Sequence, residues 1–261
     1  MNGDTGARRP TRGCTHSIHA VPGIHAHCVR VSALPRRLLV VVAGLSALAV
    51  LSGCAAVAAE RSVAADAKAA SAQHSPATVT AVAIGDSISH GRGVLPAQAW
   101  PEQVAATRKW ALDDVAINGS GFAKQGWGGF TYDAQVDTAL RLHPRIVLIA
   151  ATRNDLTVDD RVLRARTGQV LDRIRSALPD ATIIGTSAVW GDNTPPARLS
   201  AVDAVVRQAV TGVGGTFLDL GFPLAGHPEL LQADHIHPNA AGQGVVAGVV
   251  ERALDAAHII G

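Results

Sequence analysis

The sequence predicts an α/β fold: a three-layer α/β/α sandwich with a central parallel sheet of about five strands. Three observations predict it. Short apolar runs alternate with segments of helical periodicity along residues 78–256, and Gly, Pro and Asn punctuate the boundaries between them. The run IVLIA at 146–150 is apolar throughout, as in a strand buried on both faces. Strands that alternate with helices favour a parallel sheet covered by helices on both sides.

The strands are predicted from short apolar or β-branched runs that end at turn residues. The first run, TVTAVAI, meets Gly85, and the second comes directly before Asn118-Gly119-Ser120-Gly121. In chain order the predicted strands are 78–84, 115–117, 146–150, 182–188 and 216–218.

The helices are predicted from periodicity and from residues that start or stop a helix. Pro101 suits a first turn, Pro144 and Pro179 end two of the helices, Gly212 suits a C-terminus, and Asn239 suits an N-cap. In chain order the predicted helices are 100–110, 134–142, 159–178, 196–213 and 239–256.

The 261 residues suffice for one domain plus an N-terminal extension. Residues 38–50 are uncharged and apolar and follow Arg36 and Arg37, a pattern typical of a secretory signal. The stretch Leu51-Ser52-Gly53-Cys54 resembles a bacterial lipobox. This resemblance implies cleavage before Cys54, acylation of its thiol and attachment to the outer side of the cell membrane.

The extension is therefore predicted to divide into two parts. Residues 1–53 form an N-terminal extension with a lipoprotein signal peptide, and residues 54–77, rich in Ala and Ser, form a flexible tether. The folded domain is expected over 78–261. A plain signal peptide, which would give a secreted protein, and an uncleaved anchor are the alternatives, and translation from Val31 would shorten the extension.

Charge and cysteine content exclude several classes of protein. The formal net charge is +2 and aromatic residues make up 3%, so no basic, aromatic surface for nucleic acid is expected. All three cysteines lie at or before Cys54. The predicted domain therefore has neither an internal disulfide nor a thiolate metal site.

Polar motifs follow the predicted strands, where parallel α/β sheets carry their working residues. They are Gly85-Asp86-Ser87-Ile88, Asn118-Gly119-Ser120-Gly121 and Thr152-Arg153-Asn154-Asp155, with Asp234-His235-Ile236-His237-Pro238 before the last helix. In this combination and order, they resemble the SGNH hydrolase superfamily of GDSL-like lipases and esterases. The resemblance covers the chain from about residue 78 and implies a flavodoxin-like SGNH hydrolase fold.

The resemblance implies a role for each motif. Ser87 would be the nucleophile, His237 its general base, and Asp234 the carboxylate that orients the imidazole. The backbone N–H groups of Ser87 and Gly119 and the side-chain amide of Asn154 would form the oxyanion hole.

Several alternatives stay open at the level of sequence. Gly121 competes with Gly119, and His235 competes with His237. A metal site built from Asp234, His235, His237 and His227 is the alternative to a triad, although no metal is expected.

Thr152 stands where the family usually has Gly, which would narrow the acyl pocket or redirect the loop. Asp86 and Asp155 are expected to make structural hydrogen bonds, and Trp127 and Trp190 to line the substrate cleft.

The expected activity is that of a serine esterase acting on carboxylic esters of small acyl groups, with a glycan, lipid or other small molecule as the alcohol. The resemblance implies no cofactor, and we expect a monomer. An acyltransferase acting on envelope sugars or a lysophospholipase would share the same residues. A binding module without activity is a further alternative, but it should have lost part of the triad.

Overall fold

The computed structural model describes residues 78–259 of the chain. Five parallel strands form one sheet in the order β2-β1-β3-β4-β5. They are β1 (Val79–Ile84), β2 (Trp110–Asp114), β3 (Ile146–Ala150), β4 (Thr182–Thr186) and β5 (Thr216–Leu218). The fold class predicted from the sequence is confirmed. The predictions for residues 1–77, including the signal, Cys54 and the tether, lie outside the described residues.

Within the described residues, five α-helices connect and follow the strands. They are α1 (Trp100–Arg108), α2 (Tyr132–Leu142), α3 (Asp160–Ala177), α4 (Ala197–Gly212) and α5 (Ala240–Ala256). Asn239 caps α5 as predicted, because its side-chain oxygen accepts a hydrogen bond from the N–H of Gly242. Within residues 78–259, no helix combines the length and apolar character needed to cross a bilayer.

The core lies in two layers, one on each face of the sheet. Alternate residues of β3 divide between them: Val147 and Ile149 pack with α2, α3 and α4, whereas Leu148 packs with α1 and α5. All five residues of β3 are buried. This explains why the strand has no polar position and reads as one apolar run.

The second strand is a correction to the sequence prediction. It spans Trp110–Asp114 and not 115–117, and Trp110 belongs to the strand and not to the preceding helix. Lys109 adopts a left-handed conformation (φ 59°), which ends α1 abruptly and lets β2 begin at the next residue. Because β2 lies at the edge of the sheet, its alternate residues face solvent and can be charged.

The strand order places a topological switch between β1 and β3. The chain leaves β1 toward β2 on one side, and then returns to pair β3 with the other side of β1. In open parallel sheets, the crevice beyond the carboxyl ends of such strands is the usual ligand site. Ser87 follows β1 and Asn154 follows β3, so both lie at this edge.

Candidate active site

Ser87 lies in a tight turn that begins directly after β1. The Asp86 carboxylate accepts a hydrogen bond from the N–H of Ile88 (2.8 Å), and the Ser87 carbonyl accepts one from the N–H of Arg92 (2.9 Å). These contacts hold the backbone on both sides of the serine. Ser87 itself is 8% exposed, so its hydroxyl lies in a recess and not on an open surface.

Ser87, His237 and Asp234 form a continuous chain of hydrogen bonds. The Oγ of Ser87 is 2.9 Å from Nε2 of His237, and Nδ1 of His237 is 2.6 Å from Oδ2 of Asp234. The other carboxylate oxygen, Oδ1, accepts the backbone N–H groups of Ile236 and His237, each at 3.0 Å. Asp234 therefore orients the imidazole ring and also folds the turn that carries it.

The environment of Asp234 keeps its carboxylate charged. Desolvation opposes ionisation, but the backbone and side-chain hydrogen bonds from His237 and the N–H of Ile236 outweigh it and hold the pKa well below its usual range. An ionised carboxylate can only accept hydrogen bonds. It therefore favours the tautomer in which Nδ1 of His237 carries the proton and Nε2 is free to accept the Ser87 hydroxyl proton.

The His235 alternative is not supported by geometry. His235 is exposed and adopts a left-handed backbone conformation (φ 53°), and it is His237 that makes the hydrogen bond to Ser87. In the part of the chain that the structure describes, no group of three or more His, Cys, Asp or Glu side chains is arranged to hold a metal ion. The alternative of a metal site built from Asp234, His235, His237 and His227 is therefore not supported among the described residues.

The loop after β2 distinguishes the two candidate glycines. Gly119 has a positive φ of 75°, and its N–H has no hydrogen-bond partner within residues 78–259. The N–H of Gly121, by contrast, donates to the carbonyl of Lys124 (2.8 Å). Of the two glycines, only Gly119 thus offers an N–H that is not already used. The N–H of Ser87 is likewise without a hydrogen-bond partner within the described residues.

Asp155 anchors this loop. Its carboxylate accepts the N–H groups of Phe122, Ala123 and Lys124 at 2.8–3.2 Å, and it is fully buried. A Cβ at Gly121 would lie 2.6 Å from the same carboxylate, so only glycine fits there. Burial raises the pKa of Asp155, and its three backbone hydrogen bonds lower it. The structural role expected of Asp155 is thus matched by its contacts.

Asn154 stands between the loops that follow β1 and β2. Its side-chain nitrogen donates to the carbonyl of Ser120 (2.9 Å) and lies 3.4 Å from Oδ2 of Asp86. The second contact is long for a hydrogen bond. One amide hydrogen therefore fixes the side chain, and the other can turn to a substrate oxygen.

Thr152, where the family usually has Gly, is tied to the nucleophile turn. Its hydroxyl donates to Oδ2 of Asp86 (2.5 Å) and accepts the N–H of Asn154 (3.1 Å). Burial raises the pKa of Asp86, while the hydrogen bonds from Thr152 and Ile88 lower it. The threonine therefore links β3 to the turn that carries Ser87, and Asp86 acts through hydrogen bonds as expected.

Two buried glutamines also support the site, and sequence reasoning missed both. Gln135 of α2 accepts the N–H of Gly85 (2.8 Å) and donates to the Gly85 carbonyl and to the Ser120 hydroxyl (both 2.9 Å). Gln243 of α5 donates to the carbonyl of Ile88 (3.0 Å). The available signal was a glutamine on the buried face of each helix, because buried polar side chains need specific partners.

The two tryptophans differ in exposure. Trp127 is 65% exposed, and its backbone N–H donates to the carbonyl of Asn118 (2.9 Å), which places it beside the Gly119 loop. Trp190 is 8% exposed, its Nε1 donates to Asn193 (2.7 Å), and the guanidinium of Arg153 lies over its ring at 4.1 Å from the centroid. Arg153 was not singled out from the sequence.

Comparison with known proteins identifies the family. The model of the GDSL-like lipase/acylhydrolase family matches residues 83–245, which includes every motif described above. The chain belongs to this family. The GDSL lipase Rv0518 of Mycobacterium tuberculosis is 27% identical over 179 residues, which cover 63% of this chain and 76% of that protein.

Solved structures of the GDSL/SGNH hydrolase fold resemble the described domain. The psychrotrophic esterase EstA from Pseudoalteromonas superimposes with a TM-score of 0.57 at 17% identity, covering 68% of this chain and 97% of that one. The salicylyl-acyltransferase SsfX3 from a tetracycline biosynthetic pathway gives 0.54 at 19% identity, covering 71% of this chain and 56% of that one. At these identities, the likeness shows the fold alone.

Proposed function

We propose that the protein is a serine esterase that hydrolyses carboxylic esters of small acyl groups, with Ser87 as nucleophile. The observation that carries the proposal is the chain of two hydrogen bonds from Ser87 through His237 to Asp234, at 2.9 and 2.6 Å. Serine is a weak nucleophile until a neighbouring base accepts its proton, and this arrangement supplies such a base. Membership of the acylhydrolase family supports the same chemistry.

The proposed reaction is acyl transfer to water in two steps. As Oγ of Ser87 attacks the ester carbonyl carbon, Nε2 of His237 takes the hydroxyl proton. The oxyanion is held by the N–H groups of Ser87 and Gly119 and by the amide of Asn154. Collapse breaks the bond to the alcohol, which leaves with the proton from His237, and water then attacks the acyl-enzyme in the same way.

Each oxyanion donor is expected to lower the barrier by about 3 kcal/mol. The N–H groups of both backbone donors, Ser87 and Gly119, have no other hydrogen-bond partner within residues 78–259. Gly119 needs its positive φ of 75° to present its N–H, a conformation that costs other residues about 1–2 kcal/mol. The proposed preference for small acyl groups rests on Thr152, which stands next to Asn154 where the family usually has a glycine.

The activity is tested with p-nitrophenyl esters of increasing acyl length, assayed with the wild type and the Ser87→Ala variant. We expect turnover that depends on Ser87 and is fastest on the acetate. A maximum at long chains would overturn the small-acyl proposal and favour a lipid substrate. Activity that survives in Ser87→Ala would refute the assignment of the nucleophile. Product analysis with an added sugar acceptor separates hydrolysis from acyl transfer, the alternative reaction for this site.

We also propose that Cys54 is lipid-modified and holds the exported protein at the outer side of the cell membrane. The lipobox-like stretch Leu51-Ser52-Gly53-Cys54 supports this, because it follows an apolar run of signal-peptide length. Mass spectrometry of the mature N-terminus is expected to find an acylated Cys54 as the first residue. Cys54→Ser should move the protein from the membrane fraction to the medium. An unmodified N-terminus beyond residue 54 would contradict the proposal.

A further inference from the structure

Arg153 lies directly before Asn154 and is held on an aromatic platform. Its Cζ is 4.1 Å from the centroid of the Trp190 ring, a distance at which a cation is attracted to the ring face. The ring itself is fixed, because Trp190 is nearly buried and its Nε1 donates to Oδ1 of Asn193 at 2.7 Å. The guanidinium thus stacks on a fixed ring, next in sequence to a proposed oxyanion donor, and makes no polar contact with the other described residues.

The platform also contacts the segment that carries His237. Gly191, which follows Trp190, packs so closely on the backbone of His235 that a Cβ at Gly191 would lie 3.0 Å from its carbonyl oxygen. Arg153 and Trp190 therefore lie between the loop of Asn154 and the loop of Asp234 and His237. The pair thus borders both loops that carry candidate catalytic side chains.

The guanidinium of Arg153 has no anionic partner in the described part of the chain. It takes part in no ion pair and in no side-chain hydrogen bond within residues 78–259, although the side chain is partly buried. The other partly buried arginines of the described residues all have polar partners. Arg108, Arg173 and Arg198 each pair with a carboxylate, and Arg175 donates to four backbone carbonyls. Unpaired burial is unfavourable for a charge, and here burial lowers the pKa of Arg153.

The two acidic side chains whose charges act on Arg153 already accept hydrogen bonds from other groups. Asp86 and Asp234 act on Arg153 through their charges and raise its pKa. However, Asp86 accepts hydrogen bonds from Thr152 and Ile88, and Asp234 accepts from His237 and Ile236. Neither carboxylate turns to the guanidinium, which is left to bind an anion from outside the protein.

We propose that Arg153, stacked on Trp190, binds a carboxylate or phosphate group of the substrate, so that the enzyme prefers esters that carry a negative charge. This inference rests on the proposed esterase activity and names a substrate class for the same site. The planar guanidinium offers two parallel donors to such an anion, and its other face remains on the indole. Arg153 is thus a specificity-determining residue, not a member of the reacting set.

The test uses two matched pairs of esters that differ in a single charge. Mono-4-nitrophenyl adipate and its methyl ester place the charge or its neutral equivalent on the acyl side. 4-Acetoxybenzoate and its methyl ester place it on the alcohol side. Each is assayed with the wild type, with Arg153→Gln, and with the control Arg145→Gln, which removes an exposed charge just before β3, at the opposite edge of the sheet.

We expect Arg153→Gln to lower kcat/KM for the charged member of at least one pair by about tenfold to 100-fold, the effect of one hydrogen-bonded charge. The neutral member should change by less than about twofold, which also shows that the variant is folded. Arg145→Gln should leave both members unchanged. The ester pair whose charged member loses activity shows which side of the ester faces Arg153. Arg153→Lys should restore only part of the lost activity, because lysine lacks the planar group that stacks on Trp190.

Equal effects of Arg153→Gln on charged and neutral esters, or no effect on either, would overturn the anion subsite while leaving the esterase intact. Absence of Ser87-dependent hydrolysis of all four esters by the wild type would contradict the proposed function, and the substrate preference with it.

Discussion

At the scale of single residues, one carboxylate organises the candidate site. Asp234 binds the ring of His237 through one oxygen and two backbone N–H groups through the other. This dual contact explains the spacing of three residues between the two side chains, because the turn that Asp234 caps is the turn that presents His237. The serine comes from a turn 150 positions earlier, so only the fold brings the three together.

Asp234→Asn is expected to lower kcat by about 10³-fold to 10⁴-fold while the protein stays folded. The amide no longer favours the tautomer with the proton on Nδ1 of His237, and it stabilises the imidazolium less. The measurement is turnover of p-nitrophenyl acetate together with thermal unfolding, with the exposed Asp180→Asn as control. A loss of kcat smaller than tenfold would argue against this role of Asp234.

Asn154→Ala is expected to lower kcat by about 10²-fold to 10³-fold with little change in KM, because its amide acts on the oxyanion and not on the bound ester. The side chain also donates to Ser120, so the melting temperature must be recorded beside the kinetics. If KM rose and kcat stayed constant, Asn154 would be a residue that binds substrate uniformly and not an oxyanion donor.

At the scale of elements, the sequence locates every strand of the sheet except β2. The bounds of β3 match the prediction because burial on both sheet faces leaves its apolar run little choice of residues, and the bounds of β5, the other edge strand, match as well. β2 was misplaced because an edge strand tolerates the charged residues of WALDD, and because Lys109, not a glycine, ends α1. Neither feature can be recognised from the local sequence as the start of a strand.

In the candidate site, the residues of the motifs can be predicted from the sequence, but the residues that support them cannot. Ser87, Asp234, His237, Asn154 and Gly119 are identifiable because their motifs follow predicted strands or precede the last helix. The contributions of Gln135 and Arg153 depend on partners that are distant in sequence. The periodicity of the sequence therefore does not predict them. The choice between Gly119 and Gly121 needed the hydrogen bond from Gly121 to Lys124, which only the folded loop reveals.

The end of β2 carries a carboxyl group that makes stability depend on pH. Burial raises the pKa of Asp114 to about 7; the N–H of Ala116 opposes this, and the charge of Glu102 adds to it. Since the pKa of Asp114 is higher in the folded protein than in the unfolded chain, the folded protein binds more protons than the unfolded chain between about pH 4 and pH 7. The free energy of unfolding should therefore fall as pH rises through this range.

Asp114→Asn should raise the free energy of unfolding by about 1–3 kcal/mol at pH 8 and leave it unchanged near pH 4. The amide oxygen can still accept the N–H of Ala116. Urea unfolding at several pH values measures this, with Asp113→Asn as the exposed neighbour for control. An equal effect at both pH values would show that the charge of Asp114 is not the cause.

At the scale of the whole domain, one sheet serves both core layers and the site. β3 sends alternate side chains to each layer, and its carboxyl end leads into the loop of Asn154. The switch in strand order between β1 and β3 brings Ser87 and Asn154 to the same crevice. Both side chains are therefore supported by buried, paired strands of the sheet, as precise positioning requires.

Leu148→Ala is expected to lower the free energy of unfolding by about 2–5 kcal/mol, because it leaves a cavity in the middle of the sheet. Since both layers share the strand, the described domain should still unfold in a single transition, observed by urea denaturation. The exposed Val162→Ala should change stability by less than about 0.5 kcal/mol. Two separate transitions in Leu148→Ala would show that the layers are independent.

The measurement that tests the central claim most directly is covalent labelling with a fluorophosphonate, followed by mass spectrometry of the peptides. The serine oxygen displaces fluoride from phosphorus, and the hydroxyl proton passes to His237. We predict one phosphonyl group per chain, on Ser87, with labelling at least about 10²-fold slower in His237→Ala. Failure of the wild type to react, or an adduct on another residue, would contradict the assignment of Ser87 as a nucleophile activated by His237.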